Sequence, residues 1–247
     1  MVAAVLPCLL AAQTVSPPVA EYQERARSSF QLSNGTIFPL TAVLEVHGFR
    51  VTERGEVVNA PLDTSQVHVK LSATSFRIPP RGTYTVFYEA AADSTPAWFL
   101  VTAALTGART DNGLNVRIIL PHVVYLNQKQ ALQKGDVVVR RLELDSAAGK
   151  ARVELENTGP RLGRVQELSL ASSGNAARAT GGFPLFPHFH RWVELDWDLA
   201  EPPARVRVRL PKFAVDTAMV PAAAAGGTSP STDARQQAGA PAPTPRP

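Results

Sequence analysis

The stretch from Leu114 to Leu126 constrains the fold more than any other part of the chain. It is too apolar and too rich in β-branched residues for a loop, and it is too short to cross a membrane. Its first half alternates in a way that gives a strand two different faces, with Leu114, Val116, Ile118 and Leu120 on one and Asn115 and Arg117 on the other. Pro121 cannot donate to a β-ladder, so we expect the strand to bend or to lie at a sheet edge there. We predict that it closes a first domain and runs out toward a linker.

Size, charge and cysteine content exclude several classes of protein. The 247 residues, 45% of them hydrophobic, are enough for two domains of about 100 residues, each with a core. The net charge of +4 comes from single arginines scattered over strands, which is not the pattern of a nucleic-acid-binding protein. The one cysteine, Cys8, lies near the start, so the folded part holds no disulfide framework, Cys-type zinc site or cysteine nucleophile.

The first residues resemble the apolar core and small-residue end of a secretory signal. We assign residues 1–14 to this segment and expect cleavage near Ala12 or Gln13. A lipoprotein site at Cys8 and a frayed hydrophobic end are the open alternatives. No other run approaches the roughly 20 apolar residues of a membrane-spanning helix, so no membrane span is expected.

Short alternating strands, with turn signals between them and no 3.6-residue period, predict an all-β protein made of sandwiches. The first domain covers residues 15–126, residues 127–136 are a polar linker, and the second domain covers residues 137–213. Residues 214–247 are mostly Ala, Pro, Gly, Ser and Thr. Such a composition cannot bury enough apolar surface to offset its ordering entropy, so we predict a disordered tail.

Two charged strand faces near the end of the second domain suggest a hairpin. Glu194, Asp196 and Asp198 alternate with apolar residues, and so do Arg205, Arg207 and Arg209. Antiparallel pairing of 198 with 205, 196 with 207 and 194 with 209 would place carboxylates opposite guanidiniums, which stabilises a sheet.

Several short motifs together resemble the periplasmic pilus-assembly chaperones. In the first domain they are Phe30-Gln-Leu-Ser-Asn34, Leu71 to Pro80 followed by Gly82, and the closing strand with Pro121. In the second they are Val153 to Gly159 and Gly182 to Pro187. The resemblance covers roughly Val15 to Pro211 and implies two immunoglobulin-like β-sandwich domains in tandem, without enzymatic activity or cofactors.

The resemblance also implies a function and a site. The closing strand would lend alternating side chains to an incomplete pilin-type subunit, and strand addition of this kind takes its affinity from main-chain bonds. The subunit-binding residues would be Leu114, Val116, Arg117, Ile118, Leu120 and Val124. A basic pair holds the subunit's C-terminal carboxylate in this family; Arg117 falls near one member, and Arg25 and Arg27 could replace the other. An outer-membrane usher would be a further partner, and the protein would act in the periplasm.

Other functions remain as alternatives. The protein could be a structural or adhesive module of the cell envelope, or it could form a dimer through an exposed edge. His188 and His190, with His122, could hold a metal, but two histidines beside prolines are a weak signal, and we expect no metal site. Glu194, Asp196 and Asp198 could act in glycoside hydrolysis, although their alternation favours a solvated face. The chain contains no Gly-x-Ser-x-Gly, phosphate-binding or dinucleotide-binding motif, and we expect no enzyme.

Overall fold

The computed structural model describes residues 13–109, 115–174 and 176–223, in which the regular structure is almost entirely β. The strands of the first domain are β1 Thr14–Ser16, β2 Val19–Gln23, β3 Arg25–Ser33, β4 Leu40–Val51, β5 Val57–Ala60, β6 Val67–Leu71, β7 Ser75–Ile78, β8 Thr83–Ala92, β9 Ala97–Arg109 and β10 Asn115–Asn127. Those of the second are β11 Val137–Asp145, β12 Lys150–Asn157, β13 Gly163–Val165, β14 Glu167–Ser172, β15 Ala177–Thr180, β16 Phe183–Leu185, β17 Phe189–Asp196, β18 Pro203–Arg209, β19 Ala214–Ala218 and β20 Ala222–Ala223. A 3₁₀ turn, Lys134–Asp136, precedes β11. Within these ranges, no helix has the length and apolarity to span a bilayer.

Two facing sheets form the first domain. One has the strand order β1-β3-β8-β6, and the other β2-β10-β9-β4-β5 with β7 also paired to β4. Alternate side chains of both sheets meet in a core that includes Phe30, Leu32, Phe99 and Leu126, as period-two patterning requires. This is the β-sandwich predicted from the sequence.

The two consecutive short strands β1 and β2 lie in different sheets. β1 pairs antiparallel with β3, whereas β2 pairs parallel with the end of β10, from Val123↔Val19 to Asn127↔Gln23. Pro17 and Pro18 lie between the two pieces and have no N–H group to give to either ladder. The chain therefore changes sheets there. Thr14, which the sequence boundary placed in the signal segment, is already part of β1.

The second domain is also a sandwich. Its sheets have the orders β17-β12-β11-β20 and β15-β14-β18-β19, with a small β13-β16 ribbon beside them. Leu155, Leu168, Leu170 and Val206 are among its completely buried residues. Trp197 and Val208 also face this core, as the alternation of charged and apolar residues in these two segments predicted.

The predicted hairpin between residues 194–198 and 205–209 is wrong. β17 pairs with β12, and β18 pairs with β14 and β19 in the opposite sheet. The acidic face instead meets Lys150, whose Nζ lies 2.6 Å from Asp196 and 3.3 Å from Glu194. On the other sheet Arg205 binds Asp216 at 2.7 Å and Arg209 binds Glu167 at 3.2 Å. Both charged strand faces therefore have partners of opposite charge, but these partners are not the predicted ones.

The predicted start of the disordered tail at residue 214 is also wrong. β19 begins at Ala214 and bonds to β18 along its whole length, and β20 adds in parallel to β11. The second domain therefore extends at least to Ala223, since main-chain bonding holds small residues that could not form a core themselves. The rest of the predicted tail, residues 224–247, lies outside the described residues, as do residues 1–12 of the predicted signal segment.

Candidate strand-binding edge and interdomain cleft

One side of β10 is open along half of its length. The strand pairs with β9 from end to end, but on its other side β2 covers it only from Val123 to Asn127. Among the described residues, Asn115–Pro121 therefore has no strand partner on that side. We call this segment the open edge. Unpaired N–H and C=O groups of such an edge can accept a further strand.

A bulge in the neighbouring strand leaves the open edge regular. Between the pairs Val116↔Ala108 and Ile118↔Leu105, β9 has one residue more than β10. Gly107 takes up this extra length with φ +100°, a conformation that side chains strongly disfavour, and an added Cβ would lie 3.0 Å from the carbonyl oxygen of Pro39. β10 itself keeps its two-residue alternation.

The side chains of the open edge alternate as the sequence predicted. Val116, Ile118 and Leu120 are half-buried and pack against the first core, whereas Arg117 and Ile119 are exposed. Leu114, the first residue of the predicted set, lies outside the described residues. Val124 is fully buried where β10 pairs with β2, so it is a core residue and does not lie on the open edge.

A buried histidine fixes the place where the open edge ends. The side chain of His122 is 0% exposed and stacks on Phe30 with ring centroids 4.5 Å apart. Its Nδ1 lies 2.7 Å from the carbonyl oxygen of Pro17, and its Nε2 lies 3.3 Å from the hydroxyl of Tyr88. Burial lowers the pKa of His122, although the bond to Pro17 opposes this effect. The neutral ring therefore donates from Nδ1 to the carbonyl oxygen of Pro17, which can only accept, and its Nε2 faces the Tyr88 hydroxyl.

The hydroxyl network continues from Tyr88 into β2. The hydroxyl oxygens of Tyr88 and Tyr22 lie 2.9 Å apart, and the two rings meet edge to face. Burial raises the pKa of Tyr88, and the bond to Tyr22 adds to the shift. Tyr88 is thus a neutral hydrogen-bonding group that ties β8 to β2 and, through His122, to β10.

A cavity of about 290 Å³ opens between the two domains. Glu21, Tyr125, Lys129, Arg164 and Lys212 contribute polar atoms to its wall. Arg164 of the second domain forms an ion pair with Glu21 and lies 5.4 Å from the centre of the Tyr125 ring. Burial raises the pKa of Tyr125, and the positive charge of Arg164 opposes that shift. The cleft therefore contains a guanidinium that the first domain already partners.

Aromatic residues join the two domains beside this cavity. Phe186 of the second domain packs against Trp98, Phe49 and Tyr125 of the first, with ring centroids 4.7–6.3 Å apart. Phe186 and Tyr125 are both buried. Burial of this kind stabilises a single arrangement of the two domains.

The turn between β4 and β5 makes a second interdomain contact. The amide of Trp192 donates to the carbonyl oxygen of Glu53 at 2.6 Å, and the carboxylate of Glu53 lies 3.0 Å from Nε2 of His190. Gly55 in the same turn has φ +85°, and a Cβ there would lie 2.2 Å from the guanidinium of Arg191. Because β17 is the outer strand of its sheet, this turn covers part of a free edge.

The sequence matches no family model and no curated protein, but the structure matches solved structures. The class 5 fimbriae chaperone CfaA is 10% identical, with a TM-score of 0.52 over 85% of this chain and 100% of that chain. The YadV chaperone is 11% identical, with a TM-score of 0.51 over 84% and 99% of the two chains. A chain in the complex of Salmonella enterica SafA pilin with the SafB chaperone is 11% identical, with a TM-score of 0.51 over 85% of this chain and 97% of that chain.

This chain has the fold of the fimbrial chaperones. The predicted resemblance and the all-β, two-domain fold class are thereby confirmed. At these identities the likeness concerns the fold alone.

Within the chaperone fold, the three arginines proposed as a carboxylate anchor lie apart. Arg117 is on the open edge, eight residues before Tyr125 of the cleft and so roughly 27 Å from it along the strand. Arg25 and Arg27 are exposed on the outer face of β3, and Arg27 binds Glu89 at 3.1 Å. Arg25 directly follows Glu24, whose carboxylate lies 3.1 Å from Lys129 at the cleft. Arg25 is thus the one of the three whose backbone lies nearest the cleft.

The alternative sites find no support in the described residues. They contain no group of three His, Cys, Asp or Glu side chains suited to a metal ion. His122 is bonded in the first core, and His190 binds Glu53. Glu194 and Asp196 share Lys150 on a solvated strand face, as sequence alternation suggested.

Sequence reasoning considered His122 only as a possible metal ligand, and it missed Glu21 and Arg164. His122 continues the inward face of Val116, Ile118 and Leu120, so its parity was the available signal for a buried position. Glu21 and Arg164 are 143 residues apart in the chain, and no local pattern links them.

Proposed function

We propose that this protein is a periplasmic chaperone that binds pilin-type subunits by donating the open edge of β10. The observation that carries the proposal is the open edge itself, where Val116, Ile118 and Leu120 alternate along an unpaired segment of a chaperone-like fold. An incoming strand would bond to the main chain of Asn115–Pro121. The three half-buried side chains would fill the subunit's apolar groove at the rim of the first core.

The proposed activity needs no bond making or breaking. The open edge would supply hydrogen bonds and apolar area until another strand replaced it, so we assign no catalytic residue, metal or cofactor. The mechanism depends on preorganisation, because β9 and the His122 network hold β10 extended before a subunit arrives.

Anchoring of the subunit's C-terminal carboxylate remains part of the proposal. Arg25 is the favoured anchor among the three arginines, because its backbone lies beside the cleft. Arg117 would contact the subunit farther along the open edge, and Arg27 already forms an ion pair with Glu89. Arg164 at the cleft carries charge of the right sign, but a carboxylate would have to compete there with Glu21. Transfer of the bound subunit would involve an outer-membrane usher, and export would use the N-terminal segment.

The test is to purify the protein from the periplasm of its native host and identify bound chains by mass spectrometry. We expect a small β-rich subunit in stoichiometric amount, and we expect Ile118→Asp to lose it. Val57→Asp is the matched control, because Val57 is an exposed apolar residue on β5, another outer strand. A clean monomer, or a dimer closed through the open edge, would contradict the proposal and favour a structural module of the envelope.

A further inference from the structure

The open edge ends at Pro121, a residue that has no backbone N–H group to donate. In a β-strand, the main-chain groups of alternate residues point to opposite sides. The amide of Val123 points away from β9, because it donates to the carbonyl oxygen of Pro18 at 2.9 Å. β10 is regular here, since its register with β9 runs one to one from Ile118 to Leu126. Odd-numbered residues therefore face the open side.

This parity defines which donors an incoming strand can use. Asn115, Arg117 and Ile119 direct their N–H groups to the open side. Pro121 falls on the same side and has no N–H group. The last donor of the open edge is thus Ile119.

Beyond Pro121 the position of an incoming strand is already filled. β2 occupies it from Val19 onward, and Pro17 and Pro18 lie where the chain turns away toward β1. The 2.7 Å bond from His122 to Pro17 holds this crossover at one level. His122 is buried and bonded to Tyr88 as well, so the crossover cannot slide along β10 without breaking a buried polar network.

We propose that Pro121, Pro17 and Pro18 form a stop that ends an incoming strand level with Leu120 and so fixes its register. Side-chain alternation alone permits shifts of two residues, since these keep the same faces. A strand shifted toward β2 would meet Pro17 and find no donor at Pro121. A strand shifted the other way would leave the amide of Ile119 unpaired. His122 is the positioning residue of this stop.

The stop deepens the proposed function and rests on it. It would select a segment with apolar side chains at alternate positions and a defined end. Such a segment ends five residues before Tyr125 of the cleft, so the stop would take the place of a carboxylate anchor at Arg25 in setting the register. The side chains of Val116, Ile118 and Leu120 would then always meet the same positions of the bound strand.

Disulfide trapping tests the register directly. The protein carries Ile119→Cys on the exposed face of the open edge, with Cys8 replaced by serine. The probe is a set of twelve-residue peptides of alternating valine and threonine, in which one cysteine is moved along the sequence. A disulfide forms only when the two Cα atoms come within about 7 Å, so each cross-link reports a register.

We expect one cysteine position to cross-link when Pro121 is present. Pro121→Ala alone should keep this position, because Pro17 and Pro18 still block the strand. Pro121→Ala combined with His122→Phe supplies a new N–H and releases the crossover, so it should add a second position two residues away. Pro80→Ala, at an exposed proline between β7 and β8, should add none. Faster hydrogen exchange at Val123 in the double variant would show that the crossover has been released. Several positions in the presence of Pro121, or a single unchanged position in the double variant with fast exchange at Val123, would overturn the stop. Absence of any cross-link would overturn strand capture by this edge and the stop with it.

Discussion

Asn34 and Asn157 have the same role in the two domains. Each amide nitrogen donates to the carbonyl oxygen four residues later, at 2.8 Å to Phe38 and 2.6 Å to Arg161. Each amide oxygen accepts the backbone N–H two residues later, at 3.0 Å in both domains. Both side chains are buried where a strand ends, so each turns the chain over the end of its sandwich.

Alanine at either asparagine should destabilise its domain. Asn34→Ala and Asn157→Ala leave buried backbone groups without partners, so we expect each to lower the free energy of unfolding by about 1–3 kcal/mol. Urea denaturation measures this change. Asn59→Ala, at an exposed position of β5, should stay within about 0.5 kcal/mol of the unchanged protein. Equal midpoints for Asn34→Ala and Asn59→Ala would contradict this role.

Acid should destabilise the first domain through His122. Burial lowers the pKa of this ring below its ordinary value of 6.5 in the folded state. The unfolded chain therefore takes up a proton first as the pH falls. Stability from the neutral ring is fully present above about pH 6.5 and is lost below it, by up to about 1.4 kcal/mol per pH unit, until the folded pKa is reached.

The matched variant is His122→Phe, which can keep the stacking on Phe30 but not the bond to Pro17. Denaturation from pH 7.5 to 5 should show lower stability at neutral pH and a weaker fall with acid. The variant His68→Phe, at an exposed position, should keep the acid dependence of the unchanged protein. A slope that survives in His122→Phe would assign the effect to another group.

Removing Phe186 should uncouple the domains. Phe186→Ala deletes the ring that packs on Trp98 and Phe49, and we expect a loss of about 3 kcal/mol from the joint stability of the domains. Calorimetry should show one domain unfolding before the other. Phe87→Ala, whose ring is 62% exposed, should leave the transition unchanged.

Gly55 and Gly181 should respond differently to alanine. At Gly55 the positive φ and the guanidinium of Arg191 oppose a Cβ, so Gly55→Ala should cost about 1 kcal/mol or more and speed amide exchange at Trp192. At Gly181 no heavy atom of the described residues lies within 4 Å of an added Cβ, so alanine there should be neutral. Equal effects at both glycines would show that the turn does not depend on this conformation.

The closing strand could be predicted because its information is local. Alternation placed Val116, Ile118 and Leu120 on the core side, and Pro121 marked an edge, both without knowledge of the partner strands. Strand pairing in the second domain could not be predicted in this way. The arginines of β18 have acidic partners on β14 and β19 that are as complementary as the carboxylates of β17, so charge alone did not select among them.

The residues of the cleft could not be predicted from the sequence either, because they are brought together by long-range contacts. Arg164, Phe186 and Tyr125 meet only after both domains have folded, and each has an ordinary local pattern. The predicted start of the tail was wrong for a different reason. Composition indicates how much side-chain surface a segment can bury, whereas β19 is held by main-chain hydrogen bonds to β18.

The bond from Trp192 to Glu53 has a consequence for assembly. A molecule with two free sheet edges can pair with a neighbour at each of them, so such molecules can add to one another without limit. The β4–β5 turn covers part of the edge of β17 and so makes that edge less available for pairing. Loss of that seal would expose a second free edge beside the open edge of β10 and would favour open-ended polymers.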